Sequence, residues 1–191
     1  KKIKEALDEN TILVTVMYAN NEIGTIQPIT EITRAISEFK KSRNPDIQLS
    51  NYPFFHTDAV QALQFLNCDV DDLGVDLMTI SAHKIYGPKG IGVLYVRNEE
   101  LGIRNYGTII IPVMTGGGQE SGLRSGTENV PYIVGFGAAV KIATSLKVSE
   151  FKRLKVLRNY FWKNFKKIFP KAELNGSEKD NQQLSNILNI Y

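Results

Sequence analysis

The sequence predicts an α/β fold in which helices cover a mostly parallel sheet. Four short β-type runs, at about 11–17, 53–57, 76–80 and 91–96, are interspersed with helical patterns along the 191 residues. Strands that alternate with helical segments are typical of parallel, helix-covered sheets. The length suits one domain and part of a second. We therefore expect a large α/β domain followed by the start of a smaller α+β domain.

Local patterns predict the elements of the first half. A short helix from Ile3 to Leu7 precedes the first strand. Pro28 is expected near the start of the next helix, because proline is tolerated in a first helical turn. The apolar stripe of that helix has a spacing of three to four residues and comprises Ile32, Ala35, Ile36 and Phe39. The polar, irregular segments 40–53 and 98–111 are predicted to be loops.

Two helices are predicted after the glycine-rich segment 115–129. One begins at Pro131 and ends near Leu146, and the next begins at Ser149 as its N-cap. The second helix has apolar residues at intervals of three or four: Phe151, Leu154, Leu157, Phe161, Phe165 and Ile168. Its other side is rich in lysine. A basic amphipathic helix can bind a membrane surface or nucleic acid, but the same pattern is ordinary for a helix that faces the core on one side and solvent on the other, and we expect the latter.

The alternating run 184–191 predicts a further strand. We place a large ligand-binding domain, with its N-terminal part missing, at 1–147, and a linking helix with the start of a small, truncated domain at 148–191. The chain opens without an initiator methionine, inside a predicted helix, and is expected to be a segment of a longer protein.

Composition excludes several classes of protein. A hydrophobic content of 42% and a charged content of 23% are ordinary for a globular protein. No apolar run approaches the roughly 18 residues that span a bilayer, and a net charge of +3 is small for a nucleic-acid-binding protein. The single cysteine, Cys68, excludes an intramolecular disulfide framework and fits a reducing compartment. We expect the cytoplasm, with an organelle as the alternative.

A lysine directly follows the third predicted strand. The segment 76–90 contains an apolar run that ends in Ser81-Ala82-His83, then Lys84, and then a turn rich in glycine and proline. Burying a lysine ammonium at the end of a strand is costly, so a buried lysine there requires a reason. A desolvated lysine amine can form a Schiff base with an aldehyde. The alternative is a lysine in an exposed turn between two strands.

An aspartate ends the second predicted strand. Two aromatic residues of a β-type run lead to Asp58, and Gln61 follows three residues later. The carboxyl ends of strands in an open α/β sheet are where ligands bind. A carboxylate buried there needs a cationic partner, and a protonated pyridine nitrogen paired with a Schiff-base lysine is what a pyridoxal phosphate site requires. The alternative is that Asp58 is the N-cap of a helix that begins near Ala59.

Two further segments combine polar residues with glycine. Asn20-Asn21-Glu22-Ile23-Gly24 directly follows the first strand, where the requirements of a turn can explain the adjacent amides. The segment 115–129 joins three consecutive glycines to an arginine and several hydroxyls. Such a composition suits anion binding by backbone N–H groups, with a flexible loop as the alternative.

Together these four segments resemble one family of enzymes. Asn-Asn-Glu-Ile-Gly, His-Thr-Asp-Ala-Val-Gln, Ser-Ala-His-Lys-Ile-Tyr-Gly-Pro-Lys-Gly and the glycine loop with Arg-Ser-Gly-Thr-Glu-Asn are similar to cysteine desulfurases of the NifS/IscS type. Those enzymes belong to the class V branch of fold-type I pyridoxal phosphate enzymes. The resemblance extends over almost the whole chain, in the family's order. Selenocysteine lyase shares most of these motifs and is the alternative.

The resemblance implies a role for each matching residue near the cofactor ring. Lys84 would hold pyridoxal 5'-phosphate and shuttle protons, and Asp58 would keep its pyridine nitrogen protonated. Gln61 would hydrogen-bond the phenolic oxygen of the ring. Asn21 would lie near that oxygen and the substrate carboxylate.

The resemblance also implies how the phosphate is held. Ser81 and His83 would donate to the phosphate of the same subunit. Thr127 matches a threonine that reaches the phosphate bound by the other subunit, which implies a homodimer. Arg124 is a further anion contact, with a surface arginine as the alternative. No metal site is expected.

The implied activity is conversion of L-cysteine to L-alanine, with persulfide sulfur passed to an acceptor such as an iron–sulfur cluster scaffold. In the family, a histidine that stacks on the cofactor would precede Lys1, and the nucleophilic cysteine would follow Tyr191, so we expect this segment alone to be inactive. Cys68 and His56 are expected to be structural, with nearby carboxylates opposing a Cys68 thiolate. A rival of another class is a non-catalytic scaffold with the same fold, against which the intact Lys84 and Asp58 argue.

Overall fold

The computed structural model describes residues 2–43, 52–97, 110–177, 179 and 182–191. The helices and strands, in chain order, are α1 (Lys2–Ala6), β1 (Leu13–Met17), α2 (Ile29–Ser42), β2 (Phe54–Asp58), α3 (Val70–Leu73), β3 (Leu77–Ser81), β4 (Gly92–Val96) and α4 (Val130–Ile168). Short 3₁₀ helices lie at Ala82–Ile85 and Glu120–Gly122. Each of the four predicted strands is present within two residues of its expected bounds, and α2 begins directly after Pro28.

The four strands form one sheet in the order β1-β2-β3-β4. The pairs β1–β2 and β2–β3 are parallel, whereas β4 runs antiparallel to β3. The register places Met17 beside Asp58 and Asp58 beside Thr79. The mostly parallel, helix-covered sheet predicted from the alternation of elements is therefore confirmed, and the carboxyl ends of β1, β2 and β3 meet at the same edge.

The two faces of the sheet have different surroundings. One face packs into the main core, where Phe55 and Met78 meet the buried α2 residues Ile32 and Ile36. Side chains alternate between faces along a strand. The other face carries apolar residues, such as Phe54, and five polar ones: Thr15 from β1, His56 and Asp58 from β2, and Thr79 and Ser81 from β3. None of these five is fully buried.

A second, smaller core joins α4 to the segment that follows β3. Ala82 and Ile85 of the first 3₁₀ helix pack against Phe136, Ala139 and Ala143 of α4. Small residues on both sides, Ala82 on one and Ala139 and Ala143 on the other, allow a close approach. The α4 helix therefore supports the turn that carries Lys84.

The prediction of two helices after the glycine loop is wrong. Residues 130–168 form the single helix α4 of 39 residues, and Ser149 lies inside it, where its hydroxyl donates to the carbonyl oxygen of Leu146. Asn129 is the N-cap, because its side chain accepts a hydrogen bond from Tyr132 N–H. The apolar stripe is only partly covered: Phe151 and Leu154 pack on the main core, whereas Leu157, Phe161 and Ile168 are half-exposed or more.

The predicted strand at 184–191 is also wrong. Within this segment, Ile190 makes an isolated bridge with Leu174, and Gln183, just before the segment, makes another with Thr25. The predicted loop 40–53 begins too early, because α2 continues to Ser42. Residues 44–51 of that loop, and residues 98–109 of the predicted loop 98–111, lie outside the described residues. Within the described part of the chain, no helix is long and apolar enough to cross a membrane.

Candidate active site

The candidate site is built at the sheet edge where three parallel strands end. Asn21 lies in the turn after β1, and Gln61 lies in the turn after Asp58, the last residue of β2. Ser81 ends β3, and His83 and Lys84 belong to the 3₁₀ helix that follows. Because β1, β2 and β3 run in the same direction, all six residues lie at or beyond the same edge of the sheet.

Asp58 is held at this edge by the backbone of both neighbouring strands. Its carbonyl oxygen accepts from Tyr18 N–H at 2.8 Å, and Ala59 N–H donates to the carbonyl oxygen of Thr79 at 2.9 Å. The carboxylate uses Oδ1 to accept from Val60 N–H at 2.9 Å, while Oδ2 accepts no hydrogen bond among the described residues. Residues 60–65 form turns, so the alternative of a helix N-cap is wrong and the contact is a local turn.

Lys84 lies in the connection between the antiparallel strands β3 and β4, and its side chain is exposed. The expectation of a buried lysine is therefore wrong, and its location is that of the alternative, an exposed turn between strands. The reason is that the chain turns immediately after Ser81, so Ala82 and Ile85 enter the core while His83 and Lys84 face outward. The turn ends at Tyr86, whose backbone is left-handed with φ of 64°.

Local hydrogen bonds define the geometry of this turn. The Ser81 hydroxyl lies 2.9 Å from His83 Nδ1, which orients the imidazole beside the lysine. Ala82 N–H donates to the carbonyl oxygen of Ile91, and Gly87 N–H donates to that of Ala82. A side chain at Gly87 would meet the Ala82 carbonyl oxygen at 3.0 Å, so the turn requires glycine there.

The two adjacent asparagines have different surroundings. Asn20 Oδ1 accepts from the N–H groups of both Glu22 and Ile23 at 2.9 Å, so this side chain builds the turn. The Asn21 side chain is exposed and has no such contact among the described residues. By sequence alone, the side chain of either asparagine could stabilise the turn. The structure shows that Asn20 does so, whereas the Asn21 side chain remains available to a ligand.

The glycine loop is closed by its own side chains. Gln119 Oε1 accepts from Gly126 N–H at 2.9 Å, and the Ser125 hydroxyl accepts from Gly118 N–H at 3.4 Å. Thr127 and Arg124 are exposed on this loop. In the described part of the chain, no hydrogen bond connects Thr127 to the residues at the strand ends.

Cys68 lies outside this site. Burial raises the pKa of its thiol to about 12, and the nearby Lys147 ammonium opposes that shift without overcoming it. The expected structural role thus agrees with a thiol that stays protonated, but the cause is burial rather than neighbouring carboxylates. Asp69 instead caps α3 by accepting from Asp71 and Asp72 N–H. Among the described residues, no group of histidine, cysteine, aspartate and glutamate side chains could hold a metal.

Comparisons with known proteins identify the family. The class-V aminotransferase family model matches residues 1–191. Cysteine desulfurase IscS of Dictyoglomus turgidum is 44% identical over 188 residues, which are 98% of this chain and 42% of that protein. The chain therefore spans less than half the length of the curated relative.

Solved structures agree with this assignment. A NifS-like protein matches with a TM-score of 0.81 and 34% identity, over 99% of this chain and 46% of that one. SspA in complex with cysteine matches with a TM-score of 0.68 and 37% identity, over 99% and 46%. This family match extends over every residue that builds the strand-end site. The chain belongs to the class V aminotransferase family.

Proposed function

We propose that the protein is a pyridoxal phosphate-dependent cysteine desulfurase, which converts L-cysteine to L-alanine and passes the sulfur to an acceptor as a persulfide. The observation that carries the proposal is the set of chemically distinct side chains at the ends of three adjacent parallel strands: Asn21, Asp58, Gln61, Ser81, His83 and Lys84. The names of the relatives, cysteine desulfurase and NifS-like protein, support the same reaction.

The donors and acceptors at this edge fit the proposed cofactor. Asp58 Oδ2 has no partner among the described residues, so the carboxylate can accept from a protonated ring nitrogen without breaking its contact with Val60. The exposed Lys84 amine can reach an aldehyde, and the oriented His83 imidazole can face an anion. Pyridoxal phosphate, when bound, supplies a ring that draws electrons from bonds at the substrate α-carbon.

The residues nearest the ring would each have a distinct chemical role. Lys84 Nζ would hold the aldehyde end of the cofactor and later accept and return a proton at the substrate α-carbon. The Asp58 carboxylate would stabilise the proton on the ring nitrogen by charge-assisted hydrogen bonding. The Gln61 amide would donate to the phenolic oxygen, and the Asn21 amide would orient the substrate carboxylate.

The phosphate would be held from two directions. Ser81 and His83 would donate to it from the turn after β3. Thr127 would donate to the phosphate of a second subunit, and its exposed position on the glycine loop leaves it accessible to one. The active protein would then be a homodimer, with each glycine loop completing the neighbouring site.

The sulfur would leave the protein by transfer to a partner. An iron–sulfur cluster scaffold is the acceptor we propose, with the cytoplasm or an organelle as the location. Cys68 would not carry the sulfur, because its thiol is held protonated by burial.

The proposal is tested with the complete gene product, reconstituted with pyridoxal phosphate. Incubation with L-cysteine and an excess of a dithiol reductant, which reduces the persulfide, should yield alanine and sulfide in equal amounts, and a faster reaction with L-selenocysteine would identify a selenocysteine lyase instead. Borohydride reduction followed by peptide mass spectrometry should find the cofactor on Lys84. Lys84→Ala should abolish both turnover and labelling, whereas the control Lys89→Ala should retain both. Labelling at Lys89, or no cofactor absorbance in the wild type, would contradict the proposal.

A further inference from the structure

A row of polar side chains crosses the sheet two residues before Asp58 on β2, on the same face as its carboxylate. His56 lies on β2 between Thr15 of β1 and Thr79 of β3, and we call this set the Thr15–His56–Thr79 row. His56 Nδ1 is 2.7 Å from Thr15 Oγ1, and Nε2 is 3.3 Å from Thr79 Oγ1. Both ring nitrogens are therefore engaged by hydroxyls of the neighbouring strands.

The strand register places this row next to the candidate site. Thr15 lies directly beside His56, whereas Thr79 lies directly beside Asp58. The imidazole therefore leans from its own position toward the carboxyl end of the sheet in order to reach Thr79. His56 and Asp58 are two residues apart on one strand and share a face, which brings the ring close to the carboxylate.

The surroundings of His56 favour its neutral form. Burial lowers the pKa of the ring, and the Asp58 carboxylate acts in the opposite direction with a smaller effect. Asp58 is the charged group acting on the ring in the described part of the chain, and β1 and β3 contribute uncharged hydroxyls. A neutral imidazole donates from one nitrogen and accepts at the other, and a hydroxyl can fill either role.

Asp58 itself has no cationic partner within the described residues. Each of the four ion pairs in that part of the chain involves other side chains. A protonated His56 would supply a positive charge close to the carboxylate, whereas a neutral His56 does not. The charge of Asp58 therefore remains available to a ligand only while the ring stays neutral.

We propose that His56 is a positioning residue for Asp58: its neutral ring, hydrogen-bonded between Thr15 and Thr79, fixes the carboxyl ends of three strands and leaves the Asp58 carboxylate free of a competing cation. The inference rests on the proposed function, in which that carboxylate pairs with the ring nitrogen of pyridoxal phosphate. It assigns to His56 an effect on the cofactor that a purely structural histidine would lack.

The charge state is tested by nuclear magnetic resonance. In the complete gene product, the ring ¹⁵N signals of His56 are those that disappear in His56→Gln. His56 should give one protonated and one unprotonated nitrogen at neutral pH and should titrate below the ordinary histidine value of about 6.5. A ring that is positively charged at pH 7 would overturn the inference.

The positioning role is tested by cofactor binding. His56→Leu removes both hydrogen bonds at similar volume, and it should weaken pyridoxal phosphate binding roughly tenfold, the scale of one or two hydrogen bonds. It should also lower the pH midpoint at which the ring nitrogen of the bound cofactor loses its proton, measured by ¹⁵N nuclear magnetic resonance of labelled pyridoxal phosphate, because a displaced Asp58 stabilises that proton less well. His56→Gln, which is neutral and can both donate and accept, should restore both values toward the wild type.

The hydroxyls give a second and milder test. Thr15→Val and Thr79→Val keep the shape of each side chain and remove one hydrogen bond, so they should shift the midpoint in the same direction as His56→Leu even if that variant folds poorly. Unchanged affinity and midpoint in Thr79→Val and His56→Leu would leave His56 with a structural role only. A wild type that binds no cofactor would instead contradict the proposed function, so the two failures are distinguishable.

Discussion

At the scale of single residues, the two oxygens of Asp58 separate its structural contact from its proposed chemical role. Asp58→Asn keeps an oxygen that can accept from Val60 N–H, so the turn should survive while the negative charge is lost. We expect kcat for L-cysteine to fall by a factor of about 10²–10³, the scale of losing one preorganised electrostatic partner. Two quantities are measured: the steady-state rate of alanine formation, which reports activity, and the melting temperature, which reports stability. Unchanged turnover would mean that Asp58 serves the turn alone.

Cys68 permits a prediction about alkaline stability. The folded protein holds the pKa of this thiol at about 12, above the ordinary value of 9.0, so the unfolded chain releases the proton first. The free energy of unfolding should therefore fall as pH rises from about 9 toward 12, by up to roughly 1.4 kcal/mol per pH unit from this group.

The measurement is urea unfolding at a series of pH values for the wild type and Cys68→Ala. Lysine and tyrosine titrations are common to both proteins, so the difference between the two curves isolates the thiol. The variant should lose less stability above pH 9 than the wild type. Parallel curves would show that the thiol ionises as readily in the folded protein as in the unfolded one.

Residue identities were predicted more reliably than residue environments. Sequence spacing placed Asp58, Ser81 and Lys84 after the ends of strands, because strand boundaries follow from runs of apolar residues. It placed Lys84 in the wrong environment, since exposure depends on how the chain turns after Ser81. It also gave no basis for finding the contacts of His56, because these hydroxyls come from strands about 20 to 40 residues away in the chain.

At the scale of elements, two nearby glycines of α4 have different surroundings, and only one of them faces the segment that follows Lys84. A Cβ at Gly135 would lie 2.8 Å from Pro88 Cγ, whereas a Cβ at Gly137 would meet no atom within 4 Å. Gly137→Ala should stabilise the protein by about 0.5–1 kcal/mol, because alanine is the better helix former. Gly135→Ala should lose that gain and destabilise by about 1–3 kcal/mol through overpacking.

The measurement is urea unfolding of both variants at one pH. Since the two positions are one helical turn or less apart, the comparison isolates the contact with Pro88 from helix propensity. An equal gain in both variants would show that the turn moves aside without cost. Weaker cofactor binding in Gly135→Ala alone would show that α4 also sets the position of Lys84.

The elements themselves were predicted unevenly, for physical reasons. The strands and α2 are short, and local patterns determine them, so their bounds agree within a few residues. The break proposed near Ser149 failed, because a serine that can cap a helix can also donate to a carbonyl within one. The expected strand at 184–191 failed, because alternation does not supply a neighbouring strand with which to pair.

At the scale of the whole molecule, both outer strands of the sheet present apolar surface. Leu13 of β1 is 49% exposed and Leu94 of β4 is 48% exposed, on strands whose outer edges are unpaired among the described residues. Such edges promote association. The chain 1–191 expressed alone should therefore form concentration-dependent oligomers, detectable by light scattering.

A charge on the outer strand should reduce this association. Leu94→Lys is the test variant, and Val113→Lys is its control, because Val113 is 97% exposed but lies outside the sheet. Equal improvement in both variants would attribute the effect to net charge rather than to the strand. A monomeric wild-type chain would contradict the prediction altogether.

The uninterrupted α4 helix also has a mechanical consequence. Its 39 residues form a rod about 58 Å long, and its one proline lies in the first turn, where it introduces no kink. Its N-terminal half is anchored on the turn that carries Lys84 through Phe136, Ala139 and Ala143, and its other half continues past the main core to the exposed Phe161 and Ile168. Because Phe151 and Leu154 hold the middle of the rod on the main core, a displacement near Phe161 would reach the lysine turn as a change of tilt about that contact.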